Sequence, residues 1–186
     1  MAYFLDLTGS ISHLYNKGAA KLCALFVISC LSTMTGCSSV LNQTSLDAPP
    51  VIQEKQVSQE EILALVNGYR QQNGLPPLTI SETLITASQN MARHIAERDT
   101  MDTWAHSAFG LAERLSKLGY ANVAAAENLA AGVNTTPGVV QLWKGSEGHN
   151  KNLLNPHVSE MGFAAATRST GKWKMFWVLT LARPAP

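Results

Sequence analysis

The chain has 186 residues, which is enough for one domain with extensions. Charged residues make up 15% of the chain, hydrophobic residues make up 46%, and the formal net charge is +1. Neither a basic run nor an interleaving of aromatic and basic residues occurs, so nucleic acid is not an expected partner.

The N-terminal segment has the pattern of a secretory signal. Lys17 and Lys21 precede an apolar run that is about half the length a membrane-spanning helix needs. The run is followed by Met-Thr-Gly-Cys, ending at Cys37, which resembles a bacterial lipobox. We therefore predict a signal peptide with a lipobox over residues 1–36, with translation starting later than Met1, and a lipid on Cys37. The alternative is an ordinary signal peptide in which the cysteine occurs by chance.

Lipidation would make the processed protein an exported bacterial lipoprotein, anchored to a membrane through Cys37. Ser38 after the cysteine favours the outer membrane, facing the periplasm or the surface. Cys23 and Cys30 would leave with the signal, so the processed domain would have no cysteine for a disulfide. The polar residues 37–57 predict the lipidated cysteine followed by a flexible tether, with a strand of the domain as the alternative.

Helix patterns come first in the domain and strand patterns come last. Ser58 with Glu61 forms a capping box, and the apolar residues behind it recur at helical spacing as far as Gly74. A second helix is predicted as far as Arg98, with Thr79 and Glu82 as its capping box and Ser81 as the competing cap. Further helices are predicted over residues 110–118 and 137–146, with a helical turn at 151–154. Strands are predicted over residues 122–131, 160–167 and 172–181, the last two forming a hairpin. This order, without βαβ alternation, predicts an α+β domain over residues 58–186.

Two histidines and one glutamate form the candidate site. His106 lies in the connection after the second helix, where structural roles are also open to it. Glu127 has apolar neighbours on both sides in a predicted strand, so its carboxylate should be paired, hydrogen-bonded or bound to a metal. His149 follows Gly148 at the end of a predicted helix. Together, His106, Glu127 and His149 could act in catalysis or supply three ligands to a zinc ion with one position open.

Four further residues close in sequence are predicted to support the site: Ser146, Glu147, Asn128 and Asn152. Asn152 could orient the His149 ring through a hydrogen bond. Arg70 and Arg114 are expected to bridge structural elements rather than to bind a substrate, and His94 is expected to pack on its helix.

These patterns, in this order and spacing, resemble the bacterial branch of the CAP superfamily (cysteine-rich secretory proteins, antigen 5 and pathogenesis-related 1). The resemblance covers residues 58–184, and its motifs include His106-Ser107, Glu127-Asn128-Leu129-Ala130 and Trp143-x-x-Ser146-x-Gly148-His149-x-x-Asn152. It implies a three-layer α-β-α sandwich with a central antiparallel sheet, and a cleft lined by two histidines and usually two acidic residues. His106, Glu127 and His149 match three of these positions, and Ser146 stands where the second acidic residue is usual.

Three functions from different classes are compatible with these observations. The first, which we favour, is a non-enzymatic envelope module that binds a lipid, another small apolar ligand or a partner. The second is a zinc-dependent hydrolase of the peptidase kind, in which His106 and His149 hold the metal and Glu127 is a ligand or general base. The third is a structural protein of the envelope or cell wall, in which the polar cluster serves only the fold.

Overall fold

The computed structural model describes residues 48–186, where five strands, five α-helices and one 3₁₀ turn are found. The strands are β1 (Ile52–Lys55), β2 (Thr79–Ile80), β3 (Asn122–Ala131), β4 (Glu160–Arg168) and β5 (Met175–Pro184). The helices are α1 (Gln59–Gln72), α2 (Glu82–Arg98), α3 (Ala108–Lys117), α4 (Thr136–Lys144) and α5 (Glu147–Leu153), and the 3₁₀ turn is Trp104–His106. Within these residues, no helix has both the length and the apolar character needed to cross a membrane.

The strands form one sheet in the order β1-β4-β5-β3, with antiparallel neighbours. The short β2 pairs in parallel with the start of β4. The predicted hairpin of β4 and β5 is confirmed, and its loop is held by the Asp99 carboxylate, which accepts the backbone N–H groups of Lys172 and Trp173. This order leaves β3 at one edge of the sheet.

Successive side chains of β4 and β5 point to opposite faces, and helices cover both faces. Phe163 and Trp177 belong to a core with residues of α1, α4 and α5, and the Trp143 ring packs edge-on against Phe163. On the other face, Ala164 and Val178 pack with α2, and α3 completes this layer. Burial on both faces explains why these strands are continuous apolar runs in the sequence. The predicted three-layer α-β-α sandwich is confirmed, and it lies within the compact unit Ser45–Pro186.

The prediction of a tether is wrong for the residues of β1. Ile52–Lys55 pairs antiparallel with Ala165–Arg168 on the outer edge of β4. This strand has mostly exposed side chains, so it lacks the apolar alternation that would have indicated it. Its backbone hydrogen bonds satisfy an edge of β4 that would otherwise be unpaired. The signal peptide, Cys37 and the first part of the predicted tether lie outside the described residues.

The short elements also differ from their prediction. The helical turn expected at residues 151–154 is the end of α5, which begins after Ser146. The strand expected over residues 172–181 begins at Met175, because the preceding residues form the loop held by Asp99. The capping box expected at Thr79 is wrong, because Thr79–Ile80 is β2 and the N-cap residue of α2 is Ser81. The other predicted elements are confirmed with small shifts at their ends.

Helix α2 approaches the sheet closely at Gly162 of β4. A β-carbon on Gly162 would overlap the backbone of Leu84 and Ile85. Gly148, on α5, has no atom within 4 Å of the corresponding position. Of these two glycines, Gly162 is therefore the one that another backbone approaches closely.

We predict that Gly162→Ala lowers the free energy of unfolding by at least about 1–3 kcal/mol, because backbone atoms cannot make room for the methyl group. Gly148→Ala is the matched control and should change stability by less than about 1 kcal/mol. Urea denaturation of both variants measures the difference. Equal stability of the two variants would contradict the close packing of α2 on β4.

Candidate functional site

The candidate site lies on both sides of the edge strand β3. Glu127 is paired with Thr180 of β5, and its side chain lies on the face of the sheet covered by α2 and α3. Asn128, the next residue, contacts α5 on the opposite face. Because neighbouring residues of a strand alternate in direction, these two motif residues serve different layers.

The Glu127 carboxylate is buried and has hydrogen bonds on both oxygens. Arg114 Nη2 lies 2.8 Å from Oε1 and 2.7 Å from Oε2, and His106 Nδ1 lies 3.1 Å from Oε2. The Thr180 hydroxyl donates to Oε1 over 3.3 Å. The side chain is 1% exposed, so these contacts replace the water that an exposed carboxylate would have. The prediction that Glu127 is paired and hydrogen-bonded is confirmed.

A chain of hydroxyl groups continues from Glu127 into the core. Ser88 of α2 lies 2.8 Å from Thr180 Oγ1 and 2.9 Å from the carbonyl oxygen of Gly162, and its single hydroxyl hydrogen can be donated to either. Ser88 and Thr180 are fully buried. The sequence did not lead us to either residue, although Thr180 is a lone polar residue in the apolar run of β5 and could have been noticed.

Arg114 bridges three elements, as expected. From α3, it binds Glu127 on β3 through Nη2 and donates from Nε to the Ala105 carbonyl oxygen over 3.1 Å. Ser107 caps α3 by accepting the N–H of Gly110, which fixes the helix directly after His106. What the sequence did not indicate is that Arg114 is the principal partner of Glu127.

His106 is held on one side and open on the other. Its Nδ1 faces the Glu127 carboxylate, so the neutral ring has its hydrogen on Nδ1 and a free electron pair on Nε2, which points away. The side chain is 35% exposed. Trp104, in the same 3₁₀ turn, is 63% exposed, and Phe109, in the first turn of α3, is 81% exposed. His106 therefore lies in the chain between two exposed aromatic residues.

His149 lies in the first turn of α5. The sequence analysis placed it at the C-terminal end of the preceding helix. Its ring nitrogen Nδ1 is buried and has no hydrogen-bond partner among residues 48–186. Burial lowers the pKa of His149, and a positive charge on His106 would lower it further. The neutral form of His149 is therefore favoured.

The supporting asparagines join α5 to the edge of β3. Asn152 donates to the Asn128 side chain over 2.9 Å and to the Glu127 carbonyl oxygen over 3.2 Å. Asn128 donates to the carbonyl oxygen of His149, and Trp143 donates to that of Leu129. Asn152 therefore holds the strand, in place of the predicted contact with the His149 ring. These bonds satisfy edge carbonyl groups that would otherwise be available to another chain.

The other predicted residues have positions outside the cluster around Glu127. Ser146 is the N-cap residue of α5 but makes no capping hydrogen bond with its side chain, and Glu147 is exposed in the first turn. His94 bonds with Thr103 and so ties α2 to the 3₁₀ turn. Arg70 is fully buried and donates to three carbonyl oxygens, which confirms its bridging role.

Two pockets of the domain lie away from the candidate site. The larger pockets, of about 470 and 430 Å³, lie beside β1 and the loop around Asn134. Neither of them is lined by His106, Glu127 or His149. Among Glu127, Arg114 and His106, the residue with the most exposed side chain is His106, at 35%.

The described residues also do not fit the predicted zinc site. No group of three or more His, Cys, Asp or Glu side chains within residues 48–186 has the arrangement needed to hold a metal ion. Both oxygens of Glu127 are bound by other groups, and one of these groups is the cation Arg114. A zinc ligand needs an oxygen directed at the metal at about 2.0–2.2 Å.

We predict that Glu127→Gln lowers the free energy of unfolding by about 3 kcal/mol, because it leaves the partly buried Arg114 without a counter-ion. The matched control is Glu54→Gln, which breaks an ion pair with Arg93 whose side chains are 48% and 44% exposed. That loss should stay below about 1 kcal/mol. Chemical denaturation of both variants is the measurement, and similar losses would show that the cluster does not stabilise the domain.

Comparison with known proteins gives one consistent result. The uncharacterized protein YkwD of Bacillus subtilis is 32% identical over 104 residues, which are 56% of this chain and 40% of that protein. An extracellular protein of Bacillus anthracis with an SCP domain is 25% identical, with a TM-score of 0.55 and coverage of 67% of this chain and 39% of that one. An outer surface protein of Borrelia burgdorferi, 20% identical, has a TM-score of 0.60 and coverage of 72% and 100%.

The chain therefore spans well under half the length of the two Bacillus proteins. Its residues 63–181 match the CAP family, described as the cysteine-rich secretory protein family. The match includes β3, α4, α5 and the side chains around Glu127. On this match, which extends over more than half of its length, the chain belongs to the CAP family, with relatives of bacterial type.

Proposed function

We propose that this protein is an exported lipoprotein of the bacterial cell envelope, anchored through Cys37, whose CAP domain binds a lipid or another small apolar ligand. The anchor is supported by the lipobox pattern at Cys37. Export is supported by the signal pattern and by the Bacillus anthracis relative, which is an extracellular protein. Binding is supported by the exposure of Trp104 and Phe109, which lie on either side of His106 in the chain.

The observation that carries the binding proposal is that the cluster around Glu127 holds one side of the His106 ring and leaves the other side open. The carboxylate is fully engaged, so it orients the imidazole and has no oxygen left for a reacting group. His106 Nε2 is then an acceptor in a segment of the chain that also carries the exposed side chains of Trp104 and Phe109. Such a surface suits an amphiphile whose hydroxyl or carboxylic acid group donates to Nε2 and whose chain packs on Trp104 and Phe109.

A structural role is the second candidate, and the same hydrogen bonds favour it. The contacts of Glu127, together with those of Asn128 and Asn152, join the outer elements of the domain to β3. This role alone gives no reason for the exposure of Trp104 and Phe109. The zinc-dependent hydrolase has the least support, because Arg114 occupies the carboxylate that such a site would use.

We predict that palmitic acid binds to residues 45–186, the compact unit of the domain. The double variant Trp104→Ala/Phe109→Ala should bind at least about tenfold more weakly, because each ring removes apolar contact worth more than 1 kcal/mol. Val51→Ala is the matched control, since Val51 is also exposed but adjoins β1, away from β3. Calorimetric titration is the measurement. Equal binding by all three proteins would contradict the proposed surface, as would the absence of binding to the unaltered domain.

We predict that the full chain expressed in a bacterial cell incorporates labelled palmitate and sediments with membranes, and that Cys37→Ser abolishes both. Cys30→Ser is the control, because Cys30 would be removed with the signal. Labelling that persists in Cys37→Ser would contradict the anchor without bearing on ligand binding by the domain.

A further inference from the structure

We propose that Arg114 is a built-in cation that takes the place of a bound metal ion in this site, and that it is the positioning residue that sets the orientation of His106. This inference concerns the cluster itself and does not depend on which ligand the surface binds. It rests on the arrangement of Arg114, Glu127 and His106 in residues 48–186.

The first step is the coordination of the carboxylate. Arg114 Nη2 lies within 2.8 Å of both Glu127 oxygens, and the remaining directions are taken by His106 and Thr180. A divalent ion could bind Glu127 only by displacing at least one of these donors. Because the side chain is 1% exposed, water could not replace the lost hydrogen bonds.

The second step is the charge. The guanidinium group keeps its positive charge at physiological pH and already neutralises the carboxylate. An ion of charge +2 at Glu127 would lie a few ångströms from Arg114, in a region where little solvent screens the repulsion. The Arg114 side chain is only 19% exposed, and its Nη1 is buried.

The third step is the rigidity of Arg114. Its Nε donates to the Ala105 carbonyl oxygen, so the guanidinium is fixed at two points. Rotation away from Glu127 would break this bond as well and would release the 3₁₀ turn that carries His106. The planar group cannot be exchanged for lysine without loss of one of the two contacts.

The consequence for His106 is a defined tautomer. With Glu127 held by Arg114, one carboxylate oxygen remains in place to accept the hydrogen on His106 Nδ1. Nε2 is left as an acceptor at the exposed side of the ring. In a zinc site of the predicted kind, a nitrogen of this ring would be bound to the metal.

The test is a calorimetric titration of zinc into residues 45–186, with Arg114→Gln, Arg114→Lys and His106→Ala/His149→Ala beside the unaltered domain. This part of the chain contains no cysteine that could bind zinc. We expect saturable zinc binding to Arg114→Gln, and we expect this binding to be lost in the double variant Arg114→Gln/His106→Ala. The unaltered domain and Arg114→Lys should bind no zinc under the same conditions. Stoichiometric binding to the unaltered domain that is lost in His106→Ala/His149→Ala would overturn the proposal. A folded Arg114→Gln variant that binds no zinc would overturn the claim that the arginine charge excludes the metal.

A second measurement decides the question if Arg114→Gln does not fold. Long-range ¹H–¹⁵N correlation spectra of the unaltered domain, recorded at a pH where the His106 ring is neutral, should show this ring protonated at Nδ1 and unprotonated at Nε2. Addition of zinc should leave the ring nitrogens of His106 and His149 unshifted. A ring protonated at Nε2, or ring signals that shift with zinc, would overturn the proposal. In Arg114→Lys, which keeps the charge, the Nδ1 tautomer should remain the major form. Its disappearance there would overturn the claim that the positive charge at position 114 keeps His106 in this tautomer.

Discussion

The buried ion pair between Glu127 and Arg114 is the interaction on which the arrangement of this domain around β3 depends. Taking a carboxylate out of water is unfavourable by several kcal/mol unless charge and hydrogen bonds replace the water. Here the replacement comes from α3, from the 3₁₀ turn and from β5, through Arg114, His106 and Thr180. The need of the buried Glu127 carboxylate for hydrogen-bond partners therefore fixes the positions of these three elements relative to β3.

The contacts on the opposite side of β3 arise from a different constraint. An edge strand has carbonyl groups that no neighbouring strand pairs with. In this domain, Trp143 and Asn152 donate to the carbonyl oxygens of Leu129 and Glu127, and Asn128 completes the connection to α5. Several motif residues by which the family is identified are thus used to attach α4 and α5 to the sheet. Their presence indicates the fold more directly than it indicates a reaction.

The part of the site that makes no contact between structural elements is available for function. His106 has one nitrogen committed to Glu127 and one directed outward, and the exposed rings of Trp104 and Phe109 adjoin it in the chain. The Bacillus relatives are more than twice as long as the matched region, so whatever their additional segments do is not informative about this domain.

Local patterns in the sequence determined most of the elements. Capping residues and apolar spacing predicted α1, α2 and the hairpin of β4 and β5, and the motifs around His106, Glu127 and His149 indicated the family and with it the three layers. The sequence also showed that a carboxylate among apolar residues must have partners, which is a requirement of solvation and holds in any fold.

Only the tertiary structure decided which residues those partners are. Arg114 and Thr180 lie 13 and 53 positions from Glu127, and no local pattern links them to it. Likewise, β1 is a strand because β4 has an open edge, although its own side chains give no strand signal. Pairing across the sheet and charge compensation depend on contacts between distant segments, and these contacts turned an expected zinc ligand into one half of an ion pair.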